Sequence, residues 1–266
     1  MAAFPGADAE LHEAAYAVVG APLDVSTTFR PGARFGPERI RRFARAFDGY
    51  DRRTGRRFGD LVADDGDLEA WDDAAEYLRF LEGELADHRA DGRVPLLLGG
   101  EHSVTAAGVR ATEPDVYVCL DAHLDLYDAY AGNERSHATV TRRALETAEE
   151  AILLGVRTGS EAEWDRAAEA DVTVIGPEEV PSWEPTFDGD AYLSIDIDAA
   201  DPGFAPGTGT PAPFGLCPRE MRAVVRAVAP SAVGFDVVEV NDRDDGQAAA
   251  LAGKLLQEFV FAGTDG

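Results

Sequence analysis

The stretch VPLLLGGEHS, residues 94–103, decides the architecture. An unbroken apolar run ends in two glycines, then in an acid, a histidine and a serine. Val94–Leu98 shows no polar alternation, the pattern of a strand covered on both faces, as in a parallel sheet. The same grammar recurs along the chain. VYVCL at 116–120 runs into DAHLD at 121–125, AYLSI at 191–195 into DID at 196–198, and AVGF at 232–235 into DVVE at 236–239. In sheets covered on both faces, ligands bind at the carboxyl ends of the strands. Ionisable groups at several such ends therefore point to one shared site.

Working outward, strands are also expected at Ala14–Gly20, Ala151–Gly155 and Val172–Ile175, with the two later runs extending over Ala191–Ile197 and Ala232–Val238. Helical patterns fall at Pro37–Phe47 (Pro37 suits a first turn), Leu68–Arg89, Ser103–Arg110, Ala138–Glu149, Glu161–Ala170, Pro218–Val228 and Gln247–Phe261. Strand alternating with helix predicts an α/β fold, a three-layer α/β/α arrangement around a central, mainly parallel sheet. With no repeat, low-complexity tract or linker, residues 1–266 are expected to form a single domain.

Charge narrows the partners. Fifty acidic residues face 24 basic ones, a formal net charge of −26, and Lys254 is the only lysine. Such a surface repels nucleic acid and anionic membranes and attracts cations. The acids are spread along the whole chain, which fits a halophilic protein kept dispersed in high salt by its acidic shell. No apolar run reaches the ~18 residues of a membrane span. The first eleven residues lack a basic and apolar leader pattern, and Cys119 reads as a buried thiol rather than half of a disulfide. A cytoplasmic, reducing location is expected.

Asp196 and Asp198 stand two apart, as do Asp121, His123 and Asp125. If the backbone is extended, each set shares one face. Clustered carboxylates at a buried strand end are costly unless a cation neutralises them. His102 follows the glycine pair. Carboxylate oxygens with imidazole nitrogens suit Mn²⁺, Fe²⁺, Co²⁺ or Zn²⁺, and an oxygen-rich set with few nitrogens leans to Mn²⁺. His102, Asp121, His123, Asp125, Asp196 and Asp198 supply more ligands than one ion needs. Two ions bridged by carboxylates would use all six and would acidify a bound water, which makes metal-assisted hydrolysis the reaction class. His12 and His88 fall in polar sequence and read as solvated. A two-metal phosphoesterase would need cations around a phosphate, and these segments offer only Arg135 and Arg157.

The segments together resemble the arginase/agmatinase (ureohydrolase) family. The matching pieces are Gly99–Ser103, Asp121–Asp125, Ser194–Pro202, Pro206–Pro211, Gly234–Val240 and, near the start, Arg30–Pro37. The resemblance spans nearly the whole chain. It implies hydrolysis of a guanidino group to urea and an amine, two Mn²⁺ per subunit, a small cationic guanidino substrate and a trimeric or hexameric homo-oligomer. Carried over by position, Asp121 and Asp196 look like bridging ligands. His102 and Asp125 would complete one ion, and His123 and Asp198 the other. Asp125 would relay a proton to the leaving amine, Glu239 would bind the guanidinium, and His137 would shuttle protons or contact substrate. Glu101 stands where many relatives have Asp and is not a ligand. The loop Tyr127–His137 looks more like agmatinases than arginases, and Asn133 within it could serve either substrate. The expectation is agmatine plus water to putrescine plus urea, a step of polyamine biosynthesis. Arginine, another guanidino acid or formiminoglutamate remain open, since Pro211–Gly215 and Val240–Arg243 depart from the agmatinase pattern.

Overall fold

The structure, a computed structural model, describes residues 3–169 and 171–264. Ten strands and seven α-helices follow in the order β1 (Tyr16–Ala21), α1 (Gly36–Ala44), β2 (Tyr50–Asp51), β3 (Arg56–Arg57), β4 (Val62–Asp67), α2 (Ala74–Ala90), β5 (Val94–Gly99), α3 (Thr105–Thr112), β6 (Val116–Leu120), α4 (Val140–Ala144), β7 (Glu150–Leu154), α5 (Glu161–Ala167), β8 (Val172–Ile175), β9 (Ala191–Asp196), α6 (Pro218–Val228), β10 (Ala232–Val238) and α7 (Gln247–Gly263). The main sheet has the order β4-β1-β5-β10-β9-β6-β7-β8, and all its pairings are parallel.

Alternate residues of each strand enter opposite cores, as the period of two requires. Val18, Leu96, Leu98, Val116 and Val118 pack with Ile40 of α1, Val224 of α6 and Phe259 of α7. Val19 and Leu97 pack against Leu78, Leu81 and Leu85 of α2. Tyr117 and Cys119 meet Val109 of α3 and Val140 of α4. Helices thus cover both faces, and the expected three-layer α/β/α architecture is the observed one. The strands that end in ionisable residues, β5, β10, β9 and β6, are contiguous in the middle of the sheet.

The sequence reading missed β4 and placed a helix start at Leu68, six residues early. The reason is chemical. Val62–Asp67 carries Asp64, Asp65, Gly66 and Asp67, which reads as a turn, and no local signal shows the partner that makes it a strand. That partner is Arg41 of α1, itself buried, whose Nε and Nη2 bind Asp64 at 2.7 and 2.8 Å. Removing one member of such a buried pair costs about 3–5 kcal/mol. The expected helix at Ala138–Glu149 is shorter, a 3-10 turn at His137–Thr139 followed by α4. Ala170, the expected end of the helix from Glu161, lies outside the described residues; α5 ends at Ala167.

No helix among the described residues is long and apolar enough to cross a membrane.

Candidate functional site

Gly99 and Gly100 turn the chain at the end of β5. A Cβ on Gly100 would lie 2.0 Å from Leu23 O and 2.6 Å from Leu23 N, so the close approach of these backbones requires glycine. That approach lets Gly100 N–H and Glu101 N–H donate to Ala21 O and Leu23 O, and it delivers His102 to the sheet's carboxyl edge.

The acids reach the same place by turns rather than by extended strand. Strand β6 stops at Leu120, and β9 stops at Asp196. Asp121 accepts the His123 N–H at 2.7 Å, and Asp196 accepts the Asp198 N–H at 2.9 Å. These are side-chain turns of the kind Asp forms two residues onward. They replace the shared strand face expected from the spacing and gather the groups more tightly. Asp125 and Glu239 adopt positive φ, 50° and 59°. Non-glycine residues rarely do so, and such backbone concentrates at functional sites.

His102 Nδ1 lies 3.0 Å from Asp125, 3.3 Å from Asp121 and 3.6 Å from Asp196. His123 Nδ1 lies 3.1 Å from Asp198 and 3.5 Å from Asp121. The structure therefore brings together His102, Asp121, His123, Asp125, Asp196 and Asp198, all but His123 buried. Glu239, after β10, is buried beside them and accepts the His102 N–H at 2.8 Å.

The electrostatics are those of a site that wants a cation. Burial, then Asp198 and Asp121, pushes the Asp196 carboxyl well above its ordinary range. Burial and Asp121 also raise Asp125. Burial pushes Glu239 up to about 8, although the His102 N–H pulls it down. Burial opposes charge on His123, yet Asp198 and Asp121 outweigh it and lift the imidazole to about 12. One observation tests the fit directly. His102 Nδ1 is buried, faces three carboxylates and makes no hydrogen bond. Its other nitrogen, Nε2, lies 3.3 Å from Ser194 Oγ, whose hydroxyl donates to buried Asp236 at 2.6 Å. That arrangement places the proton on Nε2 and the lone pair on Nδ1, as metal-bound imidazoles require. Burial opposes charge on His102, yet Tyr117, Asp121 and Asp125 raise it well above the ordinary imidazole range, so a proton or a metal ion must lie between Nδ1 and the carboxylates. Asp121, His123 and Asp198 likewise offer ligand atoms mutually within 4.8 Å.

A cavity of about 220 Å³ opens over this cluster, lined among others by His123, Asp125, Tyr127, Tyr130, His137, Glu163 and Glu239. Its described lining contains no Arg or Lys. Arg157 sits close by, but its guanidinium donates to the carbonyls of Gly155, Asp198 and Ala212 at 2.7–2.8 Å and serves the backbone. Arg135 is exposed and lines a larger cavity of about 650 Å³ between α2, α3 and α4, which contains none of the clustered acids or histidines. His137 enters the smaller cavity. Asn133 does not: it is exposed at the loop tip, where its Oδ1 accepts the Arg135 N–H. His12 is solvated as expected, but His88 is buried, its Nδ1 accepting from Arg93 Nε at 3.2 Å. Cys119 is a buried free thiol, which burial pushes up to about 11. Sequence reasoning missed Ser194 and Asp236 as supports for His102; a lone polar residue inside each apolar run, Ser194 in AYLSI and Asp236 in AVGFDVV, was the available signal.

A sequence model of the arginase family matches residues 14–262. The chain is 33% identical to an agmatinase of Pyrococcus horikoshii over 263 residues, covering 93% of this chain and 91% of that protein. It is 36% identical to an N(1)-aminopropylagmatine ureohydrolase of Thermococcus kodakarensis, covering 93% and 90%. The solved agmatine ureohydrolase of Thermoplasma volcanium superposes with a TM-score of 0.94 at 33% identity, covering 99% and 94%.

Proposed function

The chain belongs to the arginase family of ureohydrolases, and we propose that within it the protein hydrolyses agmatine to putrescine and urea. The observation that carries the choice of substrate is the cavity wall. Glu239 and the other acids line it, and no described Arg or Lys does. A substrate with a carboxylate tail, such as arginine, guanidinobutyrate or formiminoglutamate, would find no Arg or Lys to pair with there and would meet Glu163 and Glu239 instead. A guanidinium joined to a primary amine suits that acidic wall. At about 220 Å³ the cavity is below the ~300–1,000 Å³ typical of drug-sized ligands, which suits a short, narrow chain. The close similarity to proteins named for agmatine and aminopropylagmatine supports the same reading.

His102, Asp121, Asp125 and Asp196 would hold one divalent ion, and Asp121, His123, Asp196 and Asp198 a second. The oxygen-rich set suits Mn²⁺. When bound, such ions acidify water and polarise the attacked carbon's substituents. The chain's own groups do the rest. Glu239 can accept parallel N–H bonds from the planar guanidinium, fixing its carbon over the cluster. Asp125, held at the cluster by its unusual backbone, can take a proton from the nucleophile and return it to the departing amine. His137 lines the same cavity and can carry protons to solvent.

The test is urea release by Mn²⁺-loaded protein in high salt. Agmatine, aminopropylagmatine, arginine, guanidinobutyrate and formiminoglutamate are compared at equal concentration, with formamide and glutamate release followed for the last. Agmatine is expected to lead by at least about tenfold in kcat/KM, worth about 1.4 kcal/mol. A carboxylate-bearing substrate in first place would refute the reading.

A further inference from the structure

Glu101 is fully buried next to His102, yet the reading above gives it no part. Its two oxygens meet four donors. Val25 N–H and Ser26 N–H reach Oε2 at 2.7 and 2.6 Å, and the hydroxyls of Ser26 and Ser103 reach Oε1 at 2.8 and 2.6 Å. The carboxylate thus acts only as an acceptor, and the Ser26 hydroxyl proton is committed to it. The oxygen of Ser26 then faces His137 twice. It accepts the His137 backbone N–H at 2.9 Å and lies 3.2 Å from the ring nitrogen Nδ1.

A hydroxyl oxygen has one proton to give and two lone pairs to offer. With its proton on Glu101 and one lone pair on the His137 N–H, Ser26 can only accept from Nδ1. We propose that Glu101 and Ser26 are positioning residues that hold His137 in the Nδ1–H tautomer, so that the ring's basic nitrogen in the cavity is Nε2. Imidazole side chains in water favour the opposite form, with the proton on Nε2. The relay therefore reverses the default and makes His137 a proton acceptor at Nε2, where the default form could only donate.

One competitor is present. Ser136 Oγ lies 3.3 Å from the same Nδ1 and accepts the Ala138 N–H at 3.4 Å. If Ser136 donated its proton to Nδ1, the Ser26 and Nδ1 lone pairs would face each other at 3.2 Å. With the proton on Nδ1, both serine oxygens accept and no lone pairs clash. The ring is steadied from another side by Tyr130, edge-on at 6.0 Å between centroids. His102 has the same support, with Ser194 between Asp236 and its Nε2. The two histidines differ in which ring N–H the serine oxygen accepts, and so in which nitrogen is left basic.

The tautomer stands on geometry alone, whereas its use in turnover rests on the proposed ureohydrolase reaction. The first arm needs no metal and no substrate. In metal-free protein labelled with ¹⁵N-histidine, two-bond ¹H–¹⁵N spectra at a pH above the ordinary imidazole range report each tautomer. The chain has five histidines, and the His137 signals are those lost in His137→Asn. The expected result is a protonated-type Nδ1 and an unprotonated-type Nε2. Ser26→Ala should convert His137 to the Nε2–H form, Ser26→Thr should keep Nδ1–H, and Ser136→Ala should change nothing. An Nε2–H form in the wild type, or an unchanged form in Ser26→Ala, would overturn the relay.

The second arm is kinetic. Ser26→Ala is expected to lower kcat with agmatine about 10- to 100-fold, as loss of outer supports does at other sites. KM should move less than about threefold, and Ser26→Thr should recover most of the rate. A tautomer that switches with kcat unchanged would end the catalytic side of the proposal. If the wild type hydrolyses no guanidino substrate, the functional reading fails, and the relay is decided by the spectra.

Discussion

Removing and restoring divalent cation should change the stability of this fold by an amount the structure lets us estimate. The buried acids around His102 are unfavourable neighbours of one another until a cation joins them. An ion that binds the folded chain alone adds about 2.7 kcal/mol at a hundredfold excess over its Kd. Unfolding entropy near 60 °C is about 2.1 cal/mol/K per residue, hence about 0.56 kcal/mol/K for 266 residues. Each ion should then raise the melting midpoint by about 5 °C, and two by about 10 °C. The assay is a thermal scan of EDTA-treated protein, with and without excess Mn²⁺, at fixed high salt. Asp198→Ala supplies the internal control. Its side chain accepts from Ala122 N–H and Thr210 O–H, both at 3.1 Å, so the metal-free variant loses about 1–3 kcal/mol of satisfied polar pairing. It also regains something, because Asp198 is one of the charges that destabilise ionised Asp196. The substitution also removes the His123 partner at 3.1 Å, so the metal-free midpoint should fall by about 2–5 °C, while the Mn²⁺-induced rise falls to about half. Midpoints within about 1 °C of each other with and without Mn²⁺ in the wild type would refute the two-cation assignment. A full rise retained in Asp198→Ala would refute the role given to that residue.

Other outcomes follow from named contacts. Glu239→Gln should keep the Mn²⁺-induced melting shift but lose activity on agmatine by at least about 100-fold, since it weakens guanidinium binding rather than the ion cluster; equal kcat/KM in variant and wild type would show that Glu239 does not hold the substrate. Gly100→Ala drives a Cβ into the Leu23 and Ala21 backbones and should cost at least about 3 kcal/mol, the upper end for overpacking, read as a melting midpoint lower by about 5 °C or more. His88 gives a pH signature. Burial lowers its pKa, with Arg93 adding to that and Asp65, Glu84 and Asp91 opposing it. Because the folded value is below the unfolded ~6.5, its contribution is full above that pH and is lost as pH falls through the folded value. Urea midpoints of metal-free protein at pH 7.5 and 5.5 should fall less in His88→Gln than in the wild type, and parallel losses would remove His88 as a cause.

The sequence made the apolar centre of the sheet legible. The expected bounds of β6, β8, α6 and β10 coincide with those observed, because each is an apolar run, or an amphipathic one opening on Pro218, between turn-forming residues. The edge strand β4 was illegible because its acids are neutralised by Arg41, more than twenty residues upstream. The residue types of the site were legible for a similar reason: acids and histidines at the ends of buried strands have few uses other than chemistry. Their geometry was not. Spacing suggested strand faces, whereas Asp121 and Asp196 fold the chain back onto His123 and Asp198 through their own side chains. Asn133 shows the limit of positional reasoning within a loop, since the turn that carries His137 inward turns Asn133 out.

What sequence spacing conceals most is that a single tripeptide organises the site. Gly100 O accepts the Glu239 N–H, Glu101 grips Ser26 and with it His137, and His102 N–H returns to the Glu239 carboxylate. The proposed ion ligand, guanidinium-binding acid and proton acceptor are therefore fixed to one stretch of backbone, which is clamped in turn by Ala21 and Leu23. Apart from His137, none of these partners lies within seventy residues of Glu101 in sequence. A displacement of that tripeptide would move all three functions together, so changes at Gly100 and at Ser26 should separate cleanly. The first should weaken ion-linked stability and turnover alike, while the second should leave ion-linked stability intact and act on turnover alone.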